Sequence, residues 1–319
     1  MSDSKPIGPQ SWAPWIRLAL FCLPVILLIF VPVYLVDPYA VFGSKSIVTQ
    51  ERLENYRTRI NSVLYKVRTY TQDPSADIIV GDSQVAQLPE DVLDKASGLR
   101  LSNMAYYGAS ITEMTRTFWL AAASTHLHSV YFGIDFHLYT VTPLENAHDR
   151  VTPSLRLLAD RSQYFLDHDV LEATWAAARD QFVGIQTDYS PHMSRDAFWQ
   201  QELLSVGTRA FIDPHTVEEL RRVADYCHDH GIMVVFIVPP EHDDVRKRID
   251  QLGLRGVYDE FGEQLRSLGT VWDCDTPNEI TTDRAQFNDP FHLTAAAAAR
   301  IAEDMWSDGS KYCSRTRQT

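Results

Sequence analysis

Residues 77–83 read Asp-Ile-Ile-Val-Gly-Asp-Ser, and this stretch decides the fold. Its Ile-Ile-Val core is a short apolar run, typical of a strand that is buried on both faces. The Gly-Asp pair that follows favours a tight turn. The stretch therefore predicts a strand that turns directly into a helix. Ser83 would then present its hydroxyl at the helix N-terminus, where the helix dipole stabilises negative charge.

The same alternation continues towards the C-terminus. Short apolar runs lie at 99–105, 129–136, 232–240 and 270–275, and helical patterns lie at 112–124, 216–231 and 294–306. Strands separated by helices indicate an α/β fold with a parallel sheet of about five strands. We assign this domain to residues 76–310 and expect a flexible tail at 311–319. Residues 137–210 break the alternation, which predicts one long insertion, a helical cap beside the site.

Composition excludes several classes of protein. The 319 residues include 42 acidic and 29 basic side chains, a net charge of −13, which argues against nucleic acid as a partner. Four cysteines are too few for a disulfide scaffold, and their spacing is not that of a zinc site, so neither a metal nor a cofactor is expected. The sequence allows a Cys274–Cys313 bridge without requiring it.

The N-terminal region predicts a membrane anchor. Residues 18–36 form an uncharged apolar run, long enough as a helix of roughly 28 Å to cross the hydrocarbon core. We place a cytoplasmic N-terminus at 1–15, a transmembrane helix at 16–36, and a juxtamembrane linker and helix at 37–75. The aromatic residues Trp12, Trp15 and Tyr34 lie near the ends of the run, as at membrane interfaces. The alternative is a cleaved signal peptide, which is disfavoured by the length of the run and by the lack of an Ala-x-Ala site after it.

Three polar residues form a candidate catalytic set. In a parallel sheet the chemistry lies outside the carboxyl ends of the strands, where Ser83 is expected. A serine hydroxyl becomes a nucleophile when a histidine oriented by a carboxylate takes its proton. Asp289 and His292 are three residues apart before the last helix, so Asp289 can accept the Nδ1 proton while Nε2 faces Ser83. The alternatives are a simple turn at Ser83, and a capping Asp289 beside a surface His292.

Four short blocks occur in a fixed order along the chain: GDSQ (81–84), the N-x-x-x-x-G of NMAYYG (103–108), GID (133–135) and DPFHLT (289–294). These blocks resemble those of the SGNH (GDSL-type) hydrolase superfamily. With the anchor, they resemble its membrane-anchored DltD, AlgJ and AlgX-like groups, which act beside a membrane-bound O-acyltransferase (MBOAT) on cell-envelope polymers. The resemblance implies a three-layer α/β/α domain.

The same resemblance implies roles for individual residues. Ser83 would be the nucleophile, His292 the base and Asp289 the group that orients it. The backbone N–H groups of Ser83 and Gly108 would form the oxyanion hole. The family's usual leucine is replaced by Gln84, a change expected to matter little.

One departure from the family pattern concerns the third block, where an asparagine donor is common and this chain has Asp135. An ionised carboxylate cannot donate a hydrogen bond to an oxyanion. Either Asp135 points away, or Asn103 replaces it as the side-chain donor, or hydrolysis by water is poor, as would suit a transferase.

Further residues could contact a substrate. Glu241 and His242 follow the fourth strand at the same edge, in either a substrate loop or a solvated loop. Several aromatic residues of the insertion could stack on sugar rings or belong to the core: Tyr164, Phe165, Trp175, Tyr189 and Trp199.

Together these observations predict an anchored O-acyltransferase of the bacterial inner membrane, with its catalytic domain in the periplasm. Ser83 would carry an acyl group, acetyl being the first candidate, to a cell-envelope or secreted polysaccharide, with an MBOAT protein as partner. One alternative is an esterase with the same residues. Another is an inactive scaffold that binds the polymer or the MBOAT partner.

Overall fold

The computed structural model describes residues 13–43, 45–140, 148–187, 193–207 and 212–316. The chain forms two compact units. One, the small unit, comprises residues 1–61 and 156–188, and the other, the sheet unit, comprises residues 62–155 and 189–319, each as far as it is described. The predicted Ser83, Asp289 and His292 all belong to the sheet unit.

The elements, in chain order, are helices and strands of ordinary length. They are α1 (Ala13–Val36), α2 (Gln50–Gln72), β1 (Asp77–Val80), α3 (Ser83–Ala86), α4 (Glu90–Ser97), β2 (Leu101–Asn103), α5 (Ile111–Ser124), β3 (Ser129–Gly133), α6 (Phe136–Tyr139), α7 (Val151–Ala159), α8 (Arg161–Leu166), α9 (His168–Val183), α10 (Arg195–Ser205), α11 (Pro214–Asp229), β4 (Met233–Val238), α12 (Asp243–Gln251), α13 (Arg255–Leu268), β5 (Thr270–Asp273), α14 (Ala295–Asp304) and β6 (Ser314–Thr316).

The sheet unit is built on six strands in the order β2-β1-β3-β4-β5-β6. The first five are parallel, and β6 runs antiparallel to β5. Every residue of β1 and β3 is buried, because helices such as α5 and α11 pack against a sheet whose strands are apolar on both faces. The predicted mixed α/β fold with a largely parallel sheet is therefore confirmed.

The C-terminal residues correct the predicted boundary. Ser314–Thr316 form the edge strand β6, where a flexible tail was expected. Two contacts hold the strand there: a Cys274–Cys313 disulfide, and the guanidinium of Arg315, which lies 4.6 Å from the ring centroid of Trp272. The sequence allowed the bridge without requiring it, and the polar composition of the tail gave no sign of the ring contact.

Residues 137–210 were predicted to form a single helical cap, and this prediction is wrong. Their described residues are divided between the two units. Residues 156–187 join the N-terminal residues in the small unit. There, Ala176 and Ala177 of α9 are buried with Leu53 and Tyr56 of α2. The Tyr56 hydroxyl donates a hydrogen bond to the Asp180 carboxylate over 3.2 Å. The apolar face of α9 therefore packs against α2, which lies in the N-terminal part of the chain.

Helix α1 contains two prolines, Pro24 and Pro32. Among the described residues, no single helix is both long and apolar enough to cross a membrane. The pair Ile16–Pro24 and Ile26–Val36 meets the requirements of length and composition together, but it is bent by 41°. Proline lacks an N–H and clashes with the preceding turn, so a bend at this position has a plain cause. Trp12 lies outside the described residues.

The disulfide predicts how many cysteine thiols react with a thiol reagent. In the full chain, denatured without reductant, two thiols should react with a maleimide, those of Cys22 and Cys227. All four cysteines should react after reduction. A Cys274→Ser variant should show three thiols without reductant, because Cys313 loses its partner. Four reactive thiols in unreduced wild-type protein would contradict the bridge. Reduction should lower the free energy of unfolding by about 2–4 kcal/mol.

Candidate active site

The close packing of Val85 against two glycines positions the helix that begins with Ser83. Gly81 follows β1 and Gly133 ends the neighbouring strand β3, and the side chain of Val85 packs against both. A Cβ atom on Gly81 would lie 2.1 Å from Val85 Cγ2, and one on Gly133 would lie 2.5 Å from Val85 Cγ1. Only glycine fits at either position, and Val85 can therefore hold α3 directly above the strand ends.

Asp82 begins helix α3 as its N-cap. One carboxylate oxygen accepts the N–H of Gln84 over 2.9 Å, which satisfies one of the unpaired donors of the first turn. Ser83 is the first residue of the helix and is half-buried. The predicted strand-to-helix turn with the serine at its tip is present.

Substituting Gly133 tests this packing. Gly133→Ala should lower the free energy of unfolding by about 1–3 kcal/mol, because Val85 must move to make room. The measurement is a urea unfolding curve of the full chain. Gly256→Ala in α13 is the matched control, because nothing lies within 4 Å of its Cβ position. Alanine in a helix should leave stability unchanged or raise it slightly. Equal curves for Gly133→Ala and wild type would contradict the proposed packing.

The histidine reaches the serine from the loop before α14. His292 Nε2 lies 2.7 Å from Ser83 Oγ, and His292 Nδ1 lies 2.9 and 2.8 Å from the two carboxylate oxygens of Asp289. Asp289 also accepts the backbone N–H groups of Phe291 (2.9 Å) and His292 (3.0 Å). Asp289 thus caps its own loop and also orients the imidazole of His292. The two alternatives for Asp289, a capping residue and a partner of the histidine, are therefore compatible.

Charges around His292 favour its protonated form. Burial alone would lower the pKa of the imidazole, but the hydrogen bond and charge of Asp289 outweigh it, with smaller effects from Asp82 and Glu202. The resulting pKa is raised above the usual 6.5. An imidazole with a raised pKa is a stronger base once it is neutral.

Two backbone N–H groups, those of Ser83 and Gly108, were expected to form the oxyanion hole. Ser83 is the first residue of α3, so its N–H has no partner within the helix. Gly108 lies in the loop after β2 with φ +62°, a left-handed conformation that glycine adopts without strain. Among the described residues, neither of these two N–H groups donates a hydrogen bond to an acceptor.

Asn103 does not take the role of side-chain donor. Its Nδ2 atom donates to the carbonyl oxygens of Val85 (2.9 Å) and Leu88 (3.2 Å), and its Oδ1 accepts the N–H of Ala105 over 3.1 Å. The two N–H bonds of the amide are thus already used. The expectation that Asn103 replaces the missing donor is wrong in this arrangement. Asn103 instead ties the end of α3 to the loop after β2.

Asp135 faces protein donors. One carboxylate oxygen accepts the N–H of Leu138 at the start of α6 (2.6 Å), and the other accepts Gln84 Nε2 (3.0 Å). The side chain is buried. Of the three alternatives for Asp135, the geometry favours the first, a carboxylate that is engaged elsewhere.

Gln84 matters more than its sequence suggested, because it bridges buried carboxylates. The same Nε2 atom lies 3.3 Å from Glu241 Oε1 as well as 3.0 Å from Asp135. Burial raises the pKa of Glu241, and the charges of Asp275 and Asp135 raise it further. Burial and Asp135 likewise raise the pKa of Asp82. The amide donors of Gln84 offset this crowding of acids, which an apolar side chain at this position could not do.

Glu241 and His242 do not form a substrate loop, because both are buried. His242 accepts the N–H of Asp244 through Nδ1 (3.2 Å), and its ring lies 4.9 Å from that of Trp199. Its backbone N–H donates to the carbonyl of Pro290 over 2.9 Å. Its position therefore supports the loop that carries His292, and neither a substrate loop nor a solvated loop describes these two buried residues.

The aromatic residues divide between the two alternatives. Tyr164 and Trp199 are buried, so for them the core interpretation holds, whereas Trp175 is 46% exposed. Phe165 stacks on Phe42 in the small unit. Tyr189 lies outside the described residues.

Sequence reasoning missed one charged residue near the site. Glu202 on α10 interacts electrostatically with Asp289 and His292, and burial and Asp289 raise the pKa of its carboxyl group. Nothing in its sequence context marks it, because α10 carries several polar residues. Within the described ranges, no three His, Cys, Asp or Glu side chains are placed to hold a metal ion.

Comparison with known proteins gives little further information. No model of a protein family matches the chain, and no curated protein matches it. Among solved structures, the chain is similar to "The structure of a putative platelet activating factor from Streptococcus pneumonia", with 11% identity and a TM-score of 0.40, over 81% of this chain and 97% of that one. With this identity and TM-score, the similarity supports no inference about the activity of the chain.

Proposed function

We propose that this chain is a serine-dependent acyl-transfer enzyme. The observation that supports it is the hydrogen-bonded chain from Ser83 through His292 to Asp289, formed by residues that are 209 positions apart. A half-buried hydroxyl, a basic imidazole and an orienting carboxylate are the parts that nucleophilic serine catalysis requires.

The proposed reaction has two steps. Ser83 Oγ attacks the carbonyl carbon of an acyl donor, and His292 takes the hydroxyl proton. The N–H groups of Ser83 and Gly108 stabilise the oxygen that becomes negative, an interaction worth about 3–4 kcal/mol per donor. The bond to the leaving group breaks, and His292 returns the proton to it. In the second step an acceptor hydroxyl attacks the acyl-serine while His292 takes its proton. The bond from the acyl carbon to Ser83 Oγ breaks, and His292 returns the proton to that oxygen.

We further propose that the acceptor is a polysaccharide of the bacterial envelope and that an MBOAT protein supplies the acyl group. The four ordered sequence blocks support this part of the proposal, as does the long apolar α1. The disulfide between Cys274 and Cys313 supports a site outside the cytoplasm, because such bonds persist in oxidising compartments.

Hydrolysis is the second candidate for the proposed second step. The side chain of His292 is 30% exposed, so water has a path to the base. An esterase would use the same residues with water in place of the sugar hydroxyl. The two candidates differ in the lifetime of the acyl-serine.

Intact mass spectrometry of the full chain after exposure to an aryl acetate tests the proposal. A single acetyl adduct should form on wild-type protein and be absent from Ser83→Ala. His292→Ala should slow its formation by about 10²–10⁴-fold. An adduct that survives in water and is discharged by an added glycan would indicate transfer, and rapid loss in water would indicate an esterase. No adduct at any pH would contradict the proposal and favour a scaffold.

The pH dependence of adduct formation has a defined direction. Only neutral His292 can take the serine proton, so the rate should fall as pH falls through the pKa of the imidazole, which lies above 6.5. Asp289→Asn removes the main charge that raises this pKa. The falling limb should then move to lower pH, and the plateau should drop by about 10²–10⁴-fold. The measurement is the initial adduct rate between about pH 5 and 9. A limb at the same pH in both proteins would contradict this assignment of the base.

A further inference from the structure

A single arginine holds the loop that carries the second proposed oxyanion donor. Arg150 Nη2 donates to the carbonyl oxygens of Tyr107 (3.0 Å) and Gly108 (3.2 Å). The Tyr107 carbonyl and the Gly108 N–H belong to one trans peptide plane, so they point in opposite directions. Fixing this carbonyl on one side therefore fixes the N–H on the other.

Arg150 is itself fixed by a buried carboxylate. Its Nε and Nη2 atoms lie 2.7 and 2.8 Å from the two oxygens of Glu113, which is fully buried. Glu113 also accepts the backbone N–H groups of Arg150 (2.7 Å) and Ser110 (3.2 Å). A guanidinium and a carboxylate joined by two parallel bonds form a planar unit of defined direction, which an ammonium cannot reproduce.

Two further hydrogen bonds hold the rest of the loop. Lys66 Nζ donates to the carbonyl of Ala105 over 2.8 Å, and the N–H of Ala109 donates to the carbonyl of Tyr106 over 3.2 Å. Among the described residues, the N–H groups of Tyr107 and Gly108 bond no acceptor, whereas the carbonyl oxygens from Ala105 to Gly108 are all engaged.

We infer that Arg150, held by Glu113, is a positioning residue for acyl transfer. It keeps the Gly108 N–H directed at the oxygen that becomes negative when Ser83 attacks. Arg150 touches neither the nucleophile nor the base, and its effect passes through one peptide plane. The inference rests on the proposed function and deepens it.

The test compares two acyl donors that differ at the reacting carbonyl. One is an aryl acetate and the other is the matching aryl thionoacetate, in which sulfur replaces the carbonyl oxygen. Sulfur is a weak hydrogen-bond acceptor, so the thionoester gains little from an oxyanion hole. Arg150→Lys keeps a positive charge near Glu113 but loses the planar fork. It should lower the ester acylation rate by about 10–100-fold and leave the thionoester rate much closer to wild type.

The control is Arg116→Lys, because Arg116 pairs with the neighbouring Asp149 (3.0 Å) and makes no contact with the Tyr107 or Gly108 carbonyls that is recorded among the described residues. It should leave both rates unchanged. The pH limb assigned to His292 should also stay in place in Arg150→Lys, because the base is not altered.

The outcomes separate the two claims. If wild-type protein forms no Ser83 adduct, the proposed function fails. If wild type is acylated and Arg150→Lys slows both donors equally, the arginine serves the fold alone and the inference is overturned. If Arg150→Lys does not fold, Glu113→Gln decides, because it keeps Arg150 and loses the charged fork. A fall in the ratio of ester to thionoester rates supports the inference, and an unchanged ratio overturns it.

Discussion

The site depends on one steric constraint, the fit of Val85 between two glycines. Gly81 directly follows β1 and Gly133 ends the adjacent parallel strand β3, and a single methyl group on either would overlap the valine. This contact sets the height of α3 above the sheet, and with it the position of the Ser83 hydroxyl. The hydrogen bond to His292 tolerates only a few tenths of an ångström of change. The position of the Ser83 hydroxyl thus relies on an apolar contact made by another residue of the same short helix.

A second constraint is electrostatic. The site contains the buried Asp135 and Glu241 and the half-buried Asp82, three carboxyl groups that would be costly to hold in this environment if all were ionised. Gln84 donates to two of these acids, and Arg246 pairs with the nearby Asp275. Asp135 lies in the middle of this cluster and accepts hydrogen bonds from Gln84 and Leu138. Its carboxylate therefore belongs to a buried polar network.

The sequence predicted the elements that are periodic or terminated by strong turn signals. The strand at 77–80 and the serine after it were clear because an apolar run ends in Gly-Asp. The Asp289–His292 pair was clear because the two residues are local in sequence. The roles of Asn103, Glu241 and His242 could not be predicted, because each depends on a partner more than ten residues away. Asn103 in particular bonds to Val85 and Leu88, and no spacing rule distinguishes that pairing from a free donor.

The edge strand β6 covers the backbone hydrogen-bonding groups of β5. Without it, β5 would end the sheet with an unpaired row of backbone donors and acceptors, a surface on which another chain can add a strand. The Cys274–Cys313 bridge keeps β6 on that edge although the strand is only three residues long and exposed. The covalent link therefore helps to keep this edge of the sheet closed to the addition of foreign strands.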